Sequence, residues 1–278
     1  MLSDNEKERY RRQILLPEVG ETGQEKLKEA IVFIAGAGGL GSPAAMYLSA
    51  AGIGQIRICD SSTVELSNLN RQLLHYDTAI GREKVVSAKE TLLKINPHCT
   101  VIPLCEKITE NSVAGLVDEA QILIDCLDNF ETRYILNSFV VKSALPFVHA
   151  GVLGMAGQMT FIHTPETPCL QCIFPEAAAP GELFPIIGAT AGVIGALEAL
   201  EVIKYLAGIG PSLKGRLLIW EGESNTFHTV EITRDSACPV CGQVGLAEVQ
   251  GCTSAGRDRD VGSPALRFLK GRIDDRMR

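Results

Sequence analysis

Between Gly36 and Asn129 the chain spaces out residue types suited to handling the phosphates of a nucleotide. A glycine turn, Gly36-Ala37-Gly38-Gly39-Leu40-Gly41, follows the apolar run Ile31 to Ala35 and leads into Ser42-Pro43, a good helix start. A strand, a tight turn and a helix N-terminus in that order turn unpaired backbone N–H groups and the positive end of a helix dipole toward a phosphate. Asp60 closes the next strand, Gln55 to Cys59, about 20 residues past the turn, where a carboxylate meets the ribose hydroxyls of a bound nucleotide. The run Ser67-Asn68-Leu69-Asn70-Arg71-Gln72 follows, then Lys84, then Asp128-Asn129 at the end of a later strand. Asn68, Arg71, Lys84 and Asp128 are a cation, amide and carboxylate set that hydride transfer does not need. Attack on phosphorus does need one, because negative charge spreads over the phosphoryl oxygens and pyrophosphate must leave.

A second constellation is the pair of knuckles Cys169-x-x-Cys172 and Cys238-Pro-Val-Cys241-Gly242. Together they supply four thiolates, enough for a closed tetrahedral zinc site with no position left for water, so the zinc is expected to be structural. About 65 residues separate the knuckles, more than a zinc ribbon uses, so the metal would join a mid-chain loop to the end of the fold. A redox dithiol is the alternative reading of each pair.

The elements that must position these residues can be read from periodicity. Strands are expected at 30–35, 55–59, 100–105, 120–126 and 146–152, and helices at 43–51, 84–95 and 129–144. Such alternation predicts right-handed crossovers and a largely parallel sheet. After Gly154 the pattern changes to strands at Gly157–Thr164, Arg216–Glu221 and Phe227–Thr233, with one strongly apolar helix, Ala191–Ala207. Strands joined without helices predict an antiparallel extension of the same sheet. The fold class is therefore α/β, a Rossmann-like mixed sheet with a parallel N-terminal half, an antiparallel C-terminal extension and a structural zinc. The domain reading is a helical arm at 1–29, a nucleotide-binding domain with the zinc knuckles at 30–242, and a flexible tail at 243–278. The segment Phe174 to Pro185 reads as a mobile loop.

Composition bounds the function. With 278 residues, 46% of them hydrophobic, the chain can bury a substantial core. No stretch approaches the roughly 18 apolar residues of a membrane span, and the charged N-terminus is unlike a signal peptide, so a cytoplasmic protein is expected. A net charge of −7 argues against nucleic acid as partner. Nine cysteines in a cytosolic chain point to metal or thiol chemistry more than to disulfides.

From residue 5 to 242, and in the same order, the chain resembles the MoeB/ThiF/HesA adenylyltransferases, bacterial and archaeal relatives of ubiquitin-activating enzymes. The matching pieces are Arg9-Tyr10-Arg11-Arg12-Gln13, the glycine turn, Asp60, Ser67 to Gln72, Gly81 with Lys84, Asn96-Pro97, Asp125-Cys126-Leu127-Asp128-Asn129 and the cysteine pairs. The resemblance implies ATP with Mg²⁺ as cofactor and adenylation of the C-terminal glycine of a small ubiquitin-like sulfur carrier ending in Gly-Gly. It also implies a homodimer in which Arg71 reaches into the partner's ATP site, Arg12 lies near the outer phosphates, and Lys84 and Asn68 act at the α-phosphate. Asp128 is the implied Mg²⁺ anchor, since Mg²⁺ takes carboxylate oxygens plus substrate phosphates. Gly36, Gly38, Gly39, Gly41, Asp60, Ser67, Leu69, Asn70 and Asn129 complete the implied ATP site. The attacking group would be a carboxylate, ionised at neutral pH, so no general base is required and no histidine is given a catalytic role. His75 and His149 read as hydrogen-bonding or core residues.

One departure from the family matters. Relatives that form a thioester or persulfide carry a cysteine in the loop after the first zinc pair, and here that loop has none. Cys59, Cys105 and Cys126 fall on predicted strands and read as small buried residues, and nothing around Cys252 supports a lowered pKa. The expected product is therefore a free acyl-adenylate, with a separate sulfur donor acting on it. The residues beyond Cys241 are too few for a sulfurtransferase domain. Two rival functions use the same residues: a nicotinamide-dependent oxidoreductase built on the glycine turn and Asp60, and a non-catalytic carrier-binding scaffold. A carboxylate other than a carrier's, such as a peptide C-terminus, is a variant of the leading reading.

Overall fold

The run Ile31-Val32-Phe33-Ile34-Ala35 has no polar face, and it forms a strand covered on both sides. Val32 and Ile34 enter one hydrophobic cluster and Phe33 and Ala35 the other. A strand buried on both faces belongs in the middle of a parallel sheet wrapped by helices. The computed structural model describes residues 1–176, 185–211 and 213–243.

In chain order, helices α1 (Asp4–Arg9), α2 (Arg11–Ile14) and α3 (Gly20–Glu29) precede β1 (Ile31–Ala35), α4 (Gly41–Ala51), β2 (Gln55–Cys59), α5 (Lys84–Ile95) and β3 (Thr100–Leu104). Then come α6 (Val113–Val117), β4 (Ile122–Asp125), α7 (Phe130–Ser143) and β5 (Phe147–Leu153). The second half supplies β6 (Ala156–Ile162), α8 (Leu170–Ile173), α9 (Gly188–Ala207), β7 (Arg216–Glu221) and β8 (Thr226–Glu231). The sheet has eight strands in the order β3-β2-β1-β4-β5-β6-β7-β8. Pairing is parallel from β3 to β5 and antiparallel from β5 to β8.

The strand order reverses between β1 and β4, so the crevice beyond their carboxyl ends is the place where such sheets bind ligands. Both flanking loops carry predicted site residues: the glycine turn after β1 and Asp128 after β4.

Each expected strand and each long helix forms, with ends shifted by a few residues; α9, for example, starts at Gly188 rather than Ala191. Two short helices, α6 and α8, escape sequence reading because a single turn shows no periodicity. Cys105 is a correction: β3 stops at Leu104, and Cys105 is exposed rather than buried. Cys59 and Cys126 are buried, although Cys126 lies one residue past the end of β4.

The N-terminal helices are tied to the bottom of the sheet. Ser3 and Glu6 form a reciprocal capping box at the start of α1. Asn96 donates from Nδ2 to the buried Tyr10 hydroxyl, and Gln13 and Gln24 both donate to the Ala51 carbonyl at the end of α4. The apolar helices α4 and α9 pack against each other over one sheet face, and α7 covers the other. Residues 177–184, most of the loop read as mobile, lie outside the described residues, as do 244–278 with Cys252.

Candidate active site

The glycines of the turn have different reasons to be glycine. A Cβ at Gly41 would stand 2.0 Å from the Gly36 carbonyl oxygen, and one at Gly36 would stand 2.7 Å from the Cys126 carbonyl oxygen. Gly36 also has φ +102°. Those two positions are glycine for packing. Gly38 differs: a Cβ there would meet only the Gln72 amide, at 3.7 Å. The protein leaves room at Gly38, so the missing side chain keeps an open cradle at the N-terminus of α4, where backbone N–H groups favour a phosphate.

The predicted residues gather around this cradle in a linked chain. Asp60 accepts from the Ala37 N–H (2.9 Å) and from the Ser62 N–H and hydroxyl (2.9 and 2.6 Å), and the Ser62 carbonyl in turn accepts from the Lys84 N–H at the start of α5. Lys84 is half-buried. The Ala37 carbonyl lies 2.9 Å from His75 Nε2, and the other ring nitrogen of His75 lies 3.0 Å from the Ser87 hydroxyl. Burial pushes His75 below its ordinary pKa; the Ala37 carbonyl opposes this and the Lys84 charge adds to it. A neutral, doubly bonded ring is a positioning group, in line with its reading as a hydrogen-bonding residue.

On the other side lies the segment Ser67 to Gln72. Asn68 is buried, and its side-chain oxygen accepts from the Glu65 N–H at 3.1 Å. Arg71 donates from Nη1 to the Ser67 carbonyl (2.9 Å) and to Asn70 Oδ1 (3.0 Å), and its Cγ lies 3.6 Å from where a Gly39 Cβ would be. Arg71 thus lies on the glycine turn of its own chain. Gln72 is buried, points its amide at Gly38, and has no hydrogen bond to its Oε1 among the described residues.

Arg12 is not brought to this cluster. It is exposed on α2, whose Gln13 is bonded to the last residue of α4. That helix is about 16 Å long, and the glycine turn is at its other end.

The loop after β4 completes the front of the site. Asp128 is exposed, and its closest polar contact among the described residues is Asn129 Nδ2 at 3.5 Å, so its carboxylate oxygens are open. Asn129 is the N-cap of α7, accepting from the Thr132 N–H at 2.9 Å. Behind the loop is a buried set that sequence reading missed. Asp125 meets His149 Nδ1 at 2.6 Å and Arg133 Nε at 3.1 Å, and accepts from the Leu127 N–H at 3.0 Å. Burial alone would raise the Asp125 carboxyl, but Arg133 and then His149 outweigh it and hold it below the usual range. Burial lowers His149 against the pull of Asp125, so the imidazole is neutral and donates from Nδ1. Glu198 of α9 is fully buried; burial first, and Asp125 after it, push its carboxyl well up, and the Cys126 thiol lies 3.9 Å away. The available signal was a charged residue ending the apolar strand Ile122-Leu123-Ile124, which demands a buried partner.

At the far end of α7, Cys169, Cys172, Cys238 and Cys241 place their Sγ atoms within 4.8 Å of one another. Individual separations of 3.4, 3.7 and 3.9 Å bracket the roughly 3.8 Å expected between thiolates of a tetrahedral zinc site. Gly242 closes the second knuckle, where a Cβ would strike the Cys238 carbonyl oxygen at 2.5 Å. The four thiols therefore fit a zinc ion, and with four donors the shell is closed.

A doubly wound sheet with an open glycine cradle and an exposed carboxylate at its switch point defines a nucleotide-binding α/β enzyme. Residues 10–240 match the ThiF family. The chain is 37% identical over 248 residues to the SAMP-activating enzyme E1 of Haloferax volcanii, covering 87% of this chain and 92% of that one. It is 40% identical over 242 residues to the heterocyst protein HesA of Trichormus variabilis, covering 87% and 91%. The adenylyltransferase and sulfurtransferase MOCS3 of Sus scrofa is 38% identical over 270 residues, but the chain spans only 59% of that protein's length. The solved structure of Escherichia coli MccB with ATP superposes with a TM-score of 0.76 at 26% identity, covering 86% of this chain and 75% of MccB. The chain belongs to the ThiF family, and its enzyme class is adenylyltransferase.

Proposed function

We propose that the protein uses ATP to adenylate the C-terminal glycine of a small ubiquitin-like sulfur carrier. The open cradle at Gly38, with the unpaired Asp128 carboxylate across the switch point, carries this reading. The α-phosphate would sit at the N-terminus of α4, with Asp60 on the ribose and Lys84, Asn68 and Arg71 around the phosphates. One carboxylate oxygen of the carrier attacks the α-phosphorus, the bond to the bridging oxygen breaks, and pyrophosphate leaves with the electron pair. Mg²⁺, when bound at Asp128, would neutralise charge on the departing phosphates. The residues act by holding the reactants in line and meeting charge as it develops, and no proton has to be removed from the nucleophile.

Arg71 and Arg12 exchange the parts expected for them. Arg71 already lies on its own glycine turn, so it serves its own chain's nucleotide, and Arg12 is the arginine that a second copy would have to supply. A homodimer would also cover the shallow apolar groove formed by Pro43, Met46 and Tyr47 of α4 with Gly192, Val193 and Ala196 of α9. The reaction would end at the acyl-adenylate. Burial raises the thiols of Cys59 (to about 12) and Cys126, which disqualifies both as nucleophiles, and a separate sulfur donor would act next. Among the described residues no helix is long and apolar enough to cross a membrane.

ATP–pyrophosphate exchange with carriers ending in Gly-Gly tests the proposal. Carrier-dependent exchange is expected, falling about 10²–10³-fold in Asp128→Ala. Exchange that is absent with every carrier, or indifferent to Asp128, would overturn it.

A further inference from the structure

Among the described residues the exposed carboxylate of Asp128 meets only Asn129 Nδ2, at 3.5 Å, but the backbone on either side of it is firmly held. One residue before it, both peptide groups of Leu127 are held: its N–H donates to Asp125 Oδ1 and its carbonyl accepts from Arg133 Nη2. One residue after it, Asn129 is fixed as the cap of α7. The guanidinium of Arg133 also donates to the Ala150 carbonyl on β5 at 2.9 Å and stands over the Phe130 ring, 5.2 Å from its centroid. A single planar fork thus ties together the end of β4, the loop, the first turn of α7 and the neighbouring strand. His149 supplies the remaining donor to Asp125, so the buried carboxylate is fully met.

We infer that Arg133, backed by Asp125 and His149, is a positioning residue that sets the Asp128 carboxylate for a divalent cation carried by the nucleotide. The inference rests on the adenylation reading above and assigns Arg133 a task in it, although Arg133 touches no reacting atom. Geometry supports it over a role in folding alone. The network converges on Leu127, holding the two peptide units on either side of it, and it leaves the Asp128 carboxylate, among the described residues, with only the 3.5 Å contact to Asn129 Nδ2. Outer-shell groups that orient a metal ligand matter in this way, typically at 10–100-fold in metal affinity. A lysine at position 133 would keep the charge but, as a point donor, could not span three acceptors lying in different directions.

The test is Mn²⁺ binding to the full chain saturated with a non-hydrolysable ATP analogue, measured by water-proton relaxation on folded protein. Arg133→Lys is expected to weaken Mn²⁺ roughly 10–100-fold, approaching Asp128→Ala, while affinity for the metal-free analogue is unchanged. Pyrophosphate exchange should then recover at high Mn²⁺, a rise in the metal's KM with kcat regained. Asp125→Asn, which is isosteric, carries the same expectation and decides the matter should Arg133→Lys fail to fold. A lowered melting temperature with wild-type Mn²⁺ affinity would overturn the inference and leave the network a purely structural one. Equal loss of metal-free analogue binding would overturn it too. Wild-type protein that binds no Mn²⁺ with the analogue and exchanges no pyrophosphate would instead sink the adenylation reading itself.

Discussion

The two ends of α7 present opposite solutions to holding polar groups in a packed protein. At its C-terminal end Val141 packs against Cys169, Cys238 and Cys241, and four thiols gather within 4.8 Å of one another. At its N-terminal end Arg133, His149 and the Leu127 N–H between them meet the buried Asp125 carboxylate, yet next to them Asp128 is exposed. The first set turns all four of its donors to one point, and the second encloses the Asp125 carboxylate and leaves that of Asp128 exposed. A closed donor set binds a metal and does nothing further with it, whereas an open one has valence left for a substrate. The difference separates structure from chemistry on a single helix, without reference to any relative.

The hardest blow to that contrast would come from the zinc end. Removing metal with a chelator, or making Cys238→Ser, should cost about 3–5 kcal/mol of stability, read by calorimetry, while protein that remains folded still exchanges pyrophosphate. Loss of exchange with no fall in melting temperature would give the cysteine cluster a catalytic part and end the distinction.

A finer version of the contrast lies within the glycine turn. Gly41→Ala should destabilise the fold by about 2–3 kcal/mol, because its Cβ meets backbone at 2.0 Å. Gly38→Ala should leave the melting temperature alone and weaken nucleotide binding about tenfold, which titration calorimetry would read. Equal effects of the two on stability would mean that Gly38 is also a packing glycine.

The smallest effect concerns a third closed set, Glu6, which accepts from the Ser3 N–H and hydroxyl (2.8 Å each) and from Lys28 (2.9 Å). The hydrogen bond from Lys28, then those from Ser3, hold its carboxyl at about 2, below an ordinary value of 4.5. A lowered carboxyl stabilises the fold above its unfolded pKa and loses that contribution as pH falls through the folded one, here between about pH 4.5 and 2. With the Lys28 side chain 39% exposed, solvent screening limits the contribution to about 1 kcal/mol. The stability gap between wild type and Glu6→Gln should therefore shrink across that window, and a gap of constant size would show that the capping box does not depend on the charge of Glu6.

Much of the site was legible because its pieces are local. The glycine turn, Asp60 and the knuckles each declare themselves through a few neighbouring residues whose spacing follows from a turn, a strand end or a metal shell. The strands β1, β2 and β7 could be read nearly to the residue, since short apolar or alternating runs bounded by turn formers or charged residues have one sensible boundary. What stayed hidden depends on distant partners. Cys105 looked like the last residue of a strand, but pairing with β2 stops at Leu104 and leaves the thiol exposed. Arg133 and His149 looked like a helix residue and a core residue until the parallel pairing of β4 with β5 put His149 opposite Asp125.

The doubly wound order of elements, residue types suited to a nucleotide and four thiols able to hold a metal were all readable from the amino-acid sequence, because each follows from short-range periodicity or spacing. It took long-range packing to settle which arginine sits on the glycine turn, which glycine guards empty space, and that Asp128 is exposed while Asp125, three residues earlier, is fully enclosed. Those outcomes turn on how strands and helices far apart in the chain pack. Packing pairs Asp125 with Arg133 and His149 in the interior, and it leaves the Asp128 side chain exposed beside the crevice where the strand order reverses.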